Sequence, residues 1–232
     1  MGRPDLQSAC WPRLGLAVWA LGLASGQAPA PPEAGSIVVA AGKPAAARLV
    51  GPAWREEPGA LVGSGRDHVV YARRVLGPGD IHIHAQLTLE RLAHTAASLA
   101  IDRTSHVGFD GRDGCPFVEG PVFGGTTRLL RTPVDPIRAG TMFTVDVSRN
   151  AGVLTIRLNG DTLYEAPDRR PRFGLVGLRP WRAALRVHEF TVSGSTDTER
   201  TMQEETNQSQ RLPVADLAGD TQRQTVIAAG TA

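Results

Sequence analysis

The hydrophobic pattern is most regular over Gly79–Arg91, G-D-I-H-I-H-A-Q-L-T-L-E-R. Ile81, Ile83, Ala85, Leu87 and Leu89 share one parity; His82, His84, Gln86, Thr88 and Glu90 share the other. Period two sustained over this length predicts a half-buried strand in an antiparallel sheet, with the aliphatic set facing a core. Residues 46–195 read as one domain organised around that strand.

Shorter patterns fill the rest of the domain. Leu61-Val62 and Val69-Val70-Tyr71, punctuated by Gly59, Gly63 and Gly65, predict a hairpin. Leu76-Gly77-Pro78-Gly79-Asp80 reads as the turn leading into the central strand. Ala97–Ile101, Val107–Phe109 and Thr126–Leu130 read as strands, and Pro133, Pro136 and Gly140 mark a long connection. Phe143, Val145 and Val147 alternate on one strand; Leu154, Ile156 and Leu158 alternate on the next. Asn159-Gly160 is the strongest hairpin signal, since a type I′ turn needs φ > 0 at both central residues. Phe173–Leu178 reads as a buried strand. In Ala184–Val192, Leu185 and Val187 differ in parity from Phe190 and Val192; a β-bulge at His188-Glu189 brings all four to the core. About ten to twelve short strands without a long helix predict an all-β antiparallel sandwich.

The ends differ from this middle. Residues 27–45 are rich in Ala, Pro and Gly and read as an extended linker, with Ile37–Val39 placed to pair at a sheet edge. Residues 196–232 read as a polar linker or solvated helix and the start of a following domain. Arg3 and Arg13 precede the apolar run Leu14–Ala24, which is too short to span a bilayer, and Ala24-Ser25-Gly26 supplies small residues for cleavage. Residues 1–26 are therefore expected to be a secretory signal peptide, and the mature chain to be secreted or periplasmic. The competing reading is an uncleaved membrane anchor.

Charge and cysteine content narrow the partners. The net charge is +2, and removing residues 1–26 takes away two arginines and one aspartate. So weak a charge makes no electrostatic case for nucleic acid, or for a membrane surface after cleavage. Cys10 falls in the signal, which leaves Cys115 alone and the domain dependent on its core.

A resemblance rests on these segments in order. Trp54, E-P-G-A-L-V-G-S-G (57–65), G-D-I-H-I-H-A-Q-L (79–87), V-L-T-I-R-L-N-G (153–160), F-G-L-V-G-L (173–178) and R-V-H-E-F-T-V (186–192) resemble a concanavalin A-like, laminin-G-like jelly roll. More narrowly, they resemble the bacterial 3-keto-disaccharide hydrolase-like family. The stretch L-P-V-A-D-L-A-G-D-T-Q-R-Q-T-V-I-A-A-G-T-A (212–232) is similar to the lead-in of secreted bacterial sialidases, where a jelly roll precedes a propeller. This resemblance implies an N-terminal module, truncated before a catalytic propeller that would be its partner. Sialidase chemistry needs an arginine triad, a tyrosine–glutamate pair and an aspartate. Tyr164-Glu165 are neighbours on a strand and point to opposite faces, so they do not form that pair. Arg211-Leu212-Pro213 echoes a sialidase motif but sits in a polar linker.

The expected function is a non-catalytic carbohydrate-binding or bracing module of a glycan-degrading protein. Its expected ligand is a glycan, sialylated if the resemblance extends to specificity. A stand-alone glycoside-active domain is the alternative and needs paired carboxylates; Glu90 and Asp146 are the polar-facing acids. A structural or protein-interaction domain is the third reading. Candidate sugar-facing residues are Trp181, Trp54, His82, His84, Arg157 and Asn159, because sugars are held by aromatic stacking and planar polar groups. An aromatic content of 5% is thin for a dedicated lectin, so Trp54 reads equally as core and Trp181 as the better ligand residue. His82 and His84 also present two imidazoles to a metal, with His106 or His188 as a third, although a solvated strand face is the plainer reading. No cofactor is required by this reading. If calcium is held, Asp110 and Asp113 are its candidate ligands, in a segment that otherwise reads as a polar turn.

Overall fold

The computed structural model describes residues 35–92, 97–111, 115–130 and 137–207. The expected signal peptide (1–26), Asp113, Pro133, Pro136 and the stretch 212–232 lie outside the described residues.

In chain order the strands are β1 (Ser36–Ala40), β2 (Lys43–Pro44), β3 (Ala47–Val50), β4 (Arg55–Glu57), β5 (Ala60–Gly65), β6 (Val69–Ala72), β7 (Leu76–Leu89) and β8 (Ser98–Ile101). They continue with β9 (Ser105–Gly108), β10 (Phe117–Glu119), β11 (Arg128–Leu129), β12 (Met142–Asn150), β13 (Val153–Leu158), β14 (Asp161–Pro167), β15 (Val176–Arg179) and β16 (Trp181–Thr196). Two antiparallel sheets result. Sheet A is nine-stranded, ordered β14-β13-β12-β7-β16-β1-β2, with β5 also on β16 and β4 on β5. Sheet B is seven-stranded, ordered β11-β10-β9-β8-β15-β6-β3. They face each other as an antiparallel jelly-roll sandwich, and the core lies between them.

The alternating stretch is β7, at the centre of sheet A between β12 and β16. Ile81 is 3% exposed, and Ile83, Ala85, Leu87 and Leu89 are fully buried. They meet Phe143, Val145 and Val147 of β12 and, across the sandwich, inward residues such as Leu99, Val107, Val118 and Leu178. Phe109 and Phe143 join the two layers edge to face, with ring centroids 5.4 Å apart. The bulge in β16 falls between Val187 and Glu189. With His188 extruded, Leu185, Val187, Phe190 and Val192 are all fully buried. His188 is then bound by Thr88 Oγ1 and the Gly59 carbonyl, each at 3.0 Å. At the β13–β14 turn, Asn159 and Gly160 have φ of 51° and 90°, the signs a type I′ turn demands.

Three local expectations are corrected. β5 and β6 do not form a hairpin: β5 pairs with β16 in sheet A, and β6 with β15 and β3 in sheet B. Four consecutive residues in each are buried, so neither has a wet face and the chain turns a corner between layers. Leu76–Asp80 is not a turn but the first part of β7; Leu76 pairs with Thr196 and Leu76 N–H donates to the Gly174 carbonyl at 3.0 Å. The stretch read as linker contains β1 and β2, where Val38 and Val39 are fully buried.

Past β16 the chain forms a helix, α1 (residues 198–207). Asp197 caps it, accepting from Arg200 N–H at 3.2 Å and from Arg172 at 2.9 Å. Glu204 ties α1 to sheet B through Arg48 at 3.2 Å and through Arg103. A polar sequence thus folds here by ion pairing, not by an apolar face.

Candidate functional site

On the solvent face of sheet A the side chains opposite the core come from β7, β12, β13 and β14. Register sets their neighbours. Asp146 lies opposite His84 on one side and Arg157 on the other, and Ser148 lies opposite His82. Arg157 lies opposite Thr162. His82, Asp146, Ser148, Asn150, Arg157, Gly160 and Thr162 line an open depression of about 690 Å³.

One carboxylate oxygen organises it. Asp146 Oδ1 is 2.8 Å from His84 Nδ1 and 3.3 Å from His82 Nε2. An ionised carboxylate only accepts, so both of those nitrogens are assigned as N–H donors. In a neutral imidazole the remaining nitrogens, His84 Nε2 and His82 Nδ1, are acceptors. Arg157 Nε donates to Thr162 Oγ1 at 3.4 Å, and among the described residues its guanidinium makes no ion pair. The depression therefore offers hydroxyl acceptors, hydroxyl donors and a guanidinium fork on a rigid strand scaffold. No aromatic ring lines it.

The sequence-derived candidates separate into three places. His82 and Arg157 line this depression, and His84 is joined to it through Asp146. Asn159 stands at its rim as a turn residue; its Oδ1 accepts from Thr144 N–H at 2.9 Å. Trp54 is packed against the core, so close over Gly63 that a Cβ there would lie 2.4 Å from its ring. Trp181 lies at the strand corner where β15 passes into β16, half-buried, with Arg179 stacked on its ring at 4.4 Å and Arg66 at 5.6 Å.

The metal options do not assemble. His188 is held by Thr88 and Gly59, and His106 belongs to sheet B. Asp110 is fully buried, and its Oδ1 accepts from Ala97 N–H at 3.2 Å. Among the described residues no group of three or more His, Cys, Asp or Glu is arranged to hold a metal ion.

The two polar-facing acids, Glu90 and Asp146, do not form the pair a glycoside-active domain needs. They do not meet: Glu90 follows the end of β7, six positions beyond Asp146's neighbour His84, about 20 Å along a strand. Glu90 instead shares Arg186 Nη1 with Glu57, at 3.1 and 2.8 Å. Hydrogen bonding from Arg55, and then from Arg186, holds the Glu57 carboxyl below its usual range despite some desolvation. Such a group stays ionised and makes a poor proton donor.

Sequence reasoning singled out both histidines but missed Asp146 as their partner and Ser148 and Thr162 as neighbours. The signal existed in the alternation of Met142–Ser148, which puts Asp146 on the wet face. Placing it beside His84 required the register between β12 and β7.

No family model matches the chain, and no curated protein matches its sequence. Solved structures do match in shape. The VIP36 exoplasmic/lumenal domain, in a form bound to Ca2+ and Man3GlcNAc, superposes with a TM-score of 0.53 at 8% identity, over 68% of this chain and 88% of that one. Carbohydrate-binding module CBM66 from Bacillus subtilis matches with a TM-score of 0.47 at 14% identity, over 65% and 93%. An alginate lyase A1-II' variant matches at 0.48 and 12% identity, over 63% and 85%. At such an identity the likeness to the VIP36 domain shows the antiparallel jelly-roll fold alone.

Proposed function

We propose that this chain is a carbohydrate-binding jelly-roll module whose ligand lies on the outer face of sheet A, in the His82–Asp146–Arg157 depression. The observation that carries the reading is the fixed His82–Asp146–His84 cluster beside a guanidinium without an ion-pair partner. Sugar hydroxyls donate and accept at once, and a site with convergent planar donors and acceptors suits them. The VIP36 domain, which shares the fold, is described in a glycan-bound form, which supports the ligand class. Binding is favoured over hydrolysis because, among the described residues, Asp146 is the one carboxylate lining the depression, whereas the usual glycoside hydrolysis uses two. Glu57 and Glu90 are both ion-paired with Arg186, and Glu57 with Arg55 as well.

The finer setting we propose is a secreted glycan-degrading protein of the sialidase type, on the resemblance of residues 212–232. A calcium ion is not needed by the sheet A site. The test is a glycan array followed by calorimetry on the best neutral oligosaccharide. Asp146→Ala is expected to weaken binding by about tenfold or more, because two imidazoles lose the partner that orients them. Unchanged affinity in that variant would overturn the site.

A further inference from the structure

The outer face of sheet B carries a second set of chemistry. Register places Glu119, His106, Ala100, Gly177, Tyr71 and Arg48 in one row across β10, β9, β8, β15, β6 and β3. The next row runs Phe117, Gly108, Ser98 and Arg179. Their sequence neighbours Val118, Val107, Leu99, Leu178 and Val70 belong to the core, so both rows face outward. The row of six spans about 24 Å at ordinary strand spacing. Two rings lie flat on this face. Tyr71 covers Gly177, where a Cβ would come within 2.5 Å of the ring, and Phe117 covers Gly108, at 1.9 Å. Between them stand Ser98, Ala100, His106 and Arg179.

Arg179 is the anomaly. Elsewhere the fold pairs its part-buried arginines: Arg48 with Glu204, Arg149 and Arg170 with Asp168, Arg186 with Glu57 and Glu90, Arg200 with Asp102. Arg179 has no hydrogen bond or ion pair among the described residues, and its Nε is closed off from solvent without a partner. Burial lowers its pKa, and burial together with the Arg179 charge pushes His106 down to about 4. Withdrawing a cation from water without a counter-charge is costly. Glu119 is the nearest acid acting on it, but Glu119 is held by Thr127 at 3.3 Å and not by Arg179. Arg66, exposed and also without an ion pair among the described residues, flanks the same indole of Trp181. A guanidinium stacked on an indole spends its flat face there and keeps its N–H edge for an in-plane acceptor.

We infer that Arg179 and Arg66, held against Trp181, form an anion-recognition site at the corner where β15 of sheet B passes into β16 of sheet A, and that it takes a saccharide bearing a ring carboxylate. The carboxylate supplies the counter-charge the fold withholds and fits the planar fork in bidentate fashion. Ser98, His106 and Tyr71 are buried beneath this site and support it from below, so the saccharide ring meets Arg66, Arg179 and the Trp181 indole. Glu119, at the far end of the row, repels a second carboxylate and directs the acidic group toward Arg66. Trp181 opens β16, whereas Thr191 and Ser193 near its other end pair with His84 and His82, so this site is separate from the His82–Asp146 depression and stands independently of it.

The test uses the full chain with trigalacturonate as probe and its methyl ester as the uncharged control, followed by calorimetry and thermal melting. Trigalacturonate is expected to bind and the ester to bind at least about tenfold more weakly. Binding should fade when ionic strength is raised to about 1 M, where screening extends only about 3 Å. Arg179→Gln and Arg66→Gln are each expected to reduce affinity about tenfold or more, while Arg55→Gln, an exposed arginine paired with Glu57, leaves it unchanged. Arg179→Gln should also leave the melting temperature level or higher, since it removes an uncompensated charge. A melting temperature that falls with binding intact would make Arg179 structural and overturn the inference. So would equal binding of the acid and its ester, or no binding of either. Arg66→Gln, on an exposed side chain, keeps the test decisive if Arg179→Gln does not fold.

Discussion

His106 shows how a single side chain reports its surroundings. It is 8% exposed, and its imidazole is held down to about 4 by burial and then by the charge of Arg179. In the unfolded chain it titrates near its ordinary value of about 6.5. Between those values the unfolded state binds the extra proton, so stability rises with pH across the window. The contribution is complete above about 6.5 and is lost as pH falls through about 4. Denaturant midpoints of the protein and of His106→Asn, measured across that range, should converge as the pH drops. A constant difference would contradict the burial of a neutral imidazole. Arg149 is a second case. It occupies the inward parity of β12 after Phe143, Val145 and Val147, is 3% exposed, and donates to the carbonyls of Gly77, Gly79 and Arg170. Asp168 balances it at 3.5 Å. Asp168→Asn leaves that buried cation short of a counter-charge and is expected to cost about 3–5 kcal/mol in chemical unfolding.

At the level of elements, legibility in the sequence followed periodicity. β7 was readable because five aliphatic residues alternate with polar ones without interruption. The bulge at His188 was readable because the parity of Leu185 and Val187 breaks before Phe190 and Val192. The Asn159-Gly160 turn was readable because few residues accept positive φ twice in succession. β5 and β6 were not, since strands buried on both faces carry no alternation and their partners lie far away in sequence. β1 was partly hidden by the Ala/Pro-rich composition around it. α1 lacks an apolar stripe and is secured by Asp197, Glu204, Arg48 and Arg103, an arrangement only the fold brings together. Two measurements belong here. Leu87→Ala, at a fully buried position in the central strand, is expected to cost about 2–5 kcal/mol. Asp197→Ala removes the α1 cap and should cost about 0.5–2 kcal/mol, with amide exchange rising first in residues 198–207.

For the whole molecule, two sheets present two different chemistries. Sheet A offers a hydrated, nearly neutral set built from His82, His84, Asp146 and Arg157. Sheet B, with the corner where β15 passes into β16, offers a half-buried basic and aromatic set around Arg179, Trp181, Tyr71 and His106. Half of the sheet A set was visible in the sequence as the polar parity of one strand. Of the second set the sequence singled out Trp181 as a ligand residue and His106 as a metal option, but not Arg179 or Tyr71, which come from short strands and meet the others only through register. The comparison that tests the account most directly is backbone amide shift mapping of the labelled protein with a panel of neutral oligosaccharides. The prediction is a contiguous set of shifts on β7, β12 and β13, centred on His82, His84, Asp146 and Arg157 and abolished by Asp146→Ala. Shifts confined to other surfaces, or none with any saccharide in the panel, would contradict it.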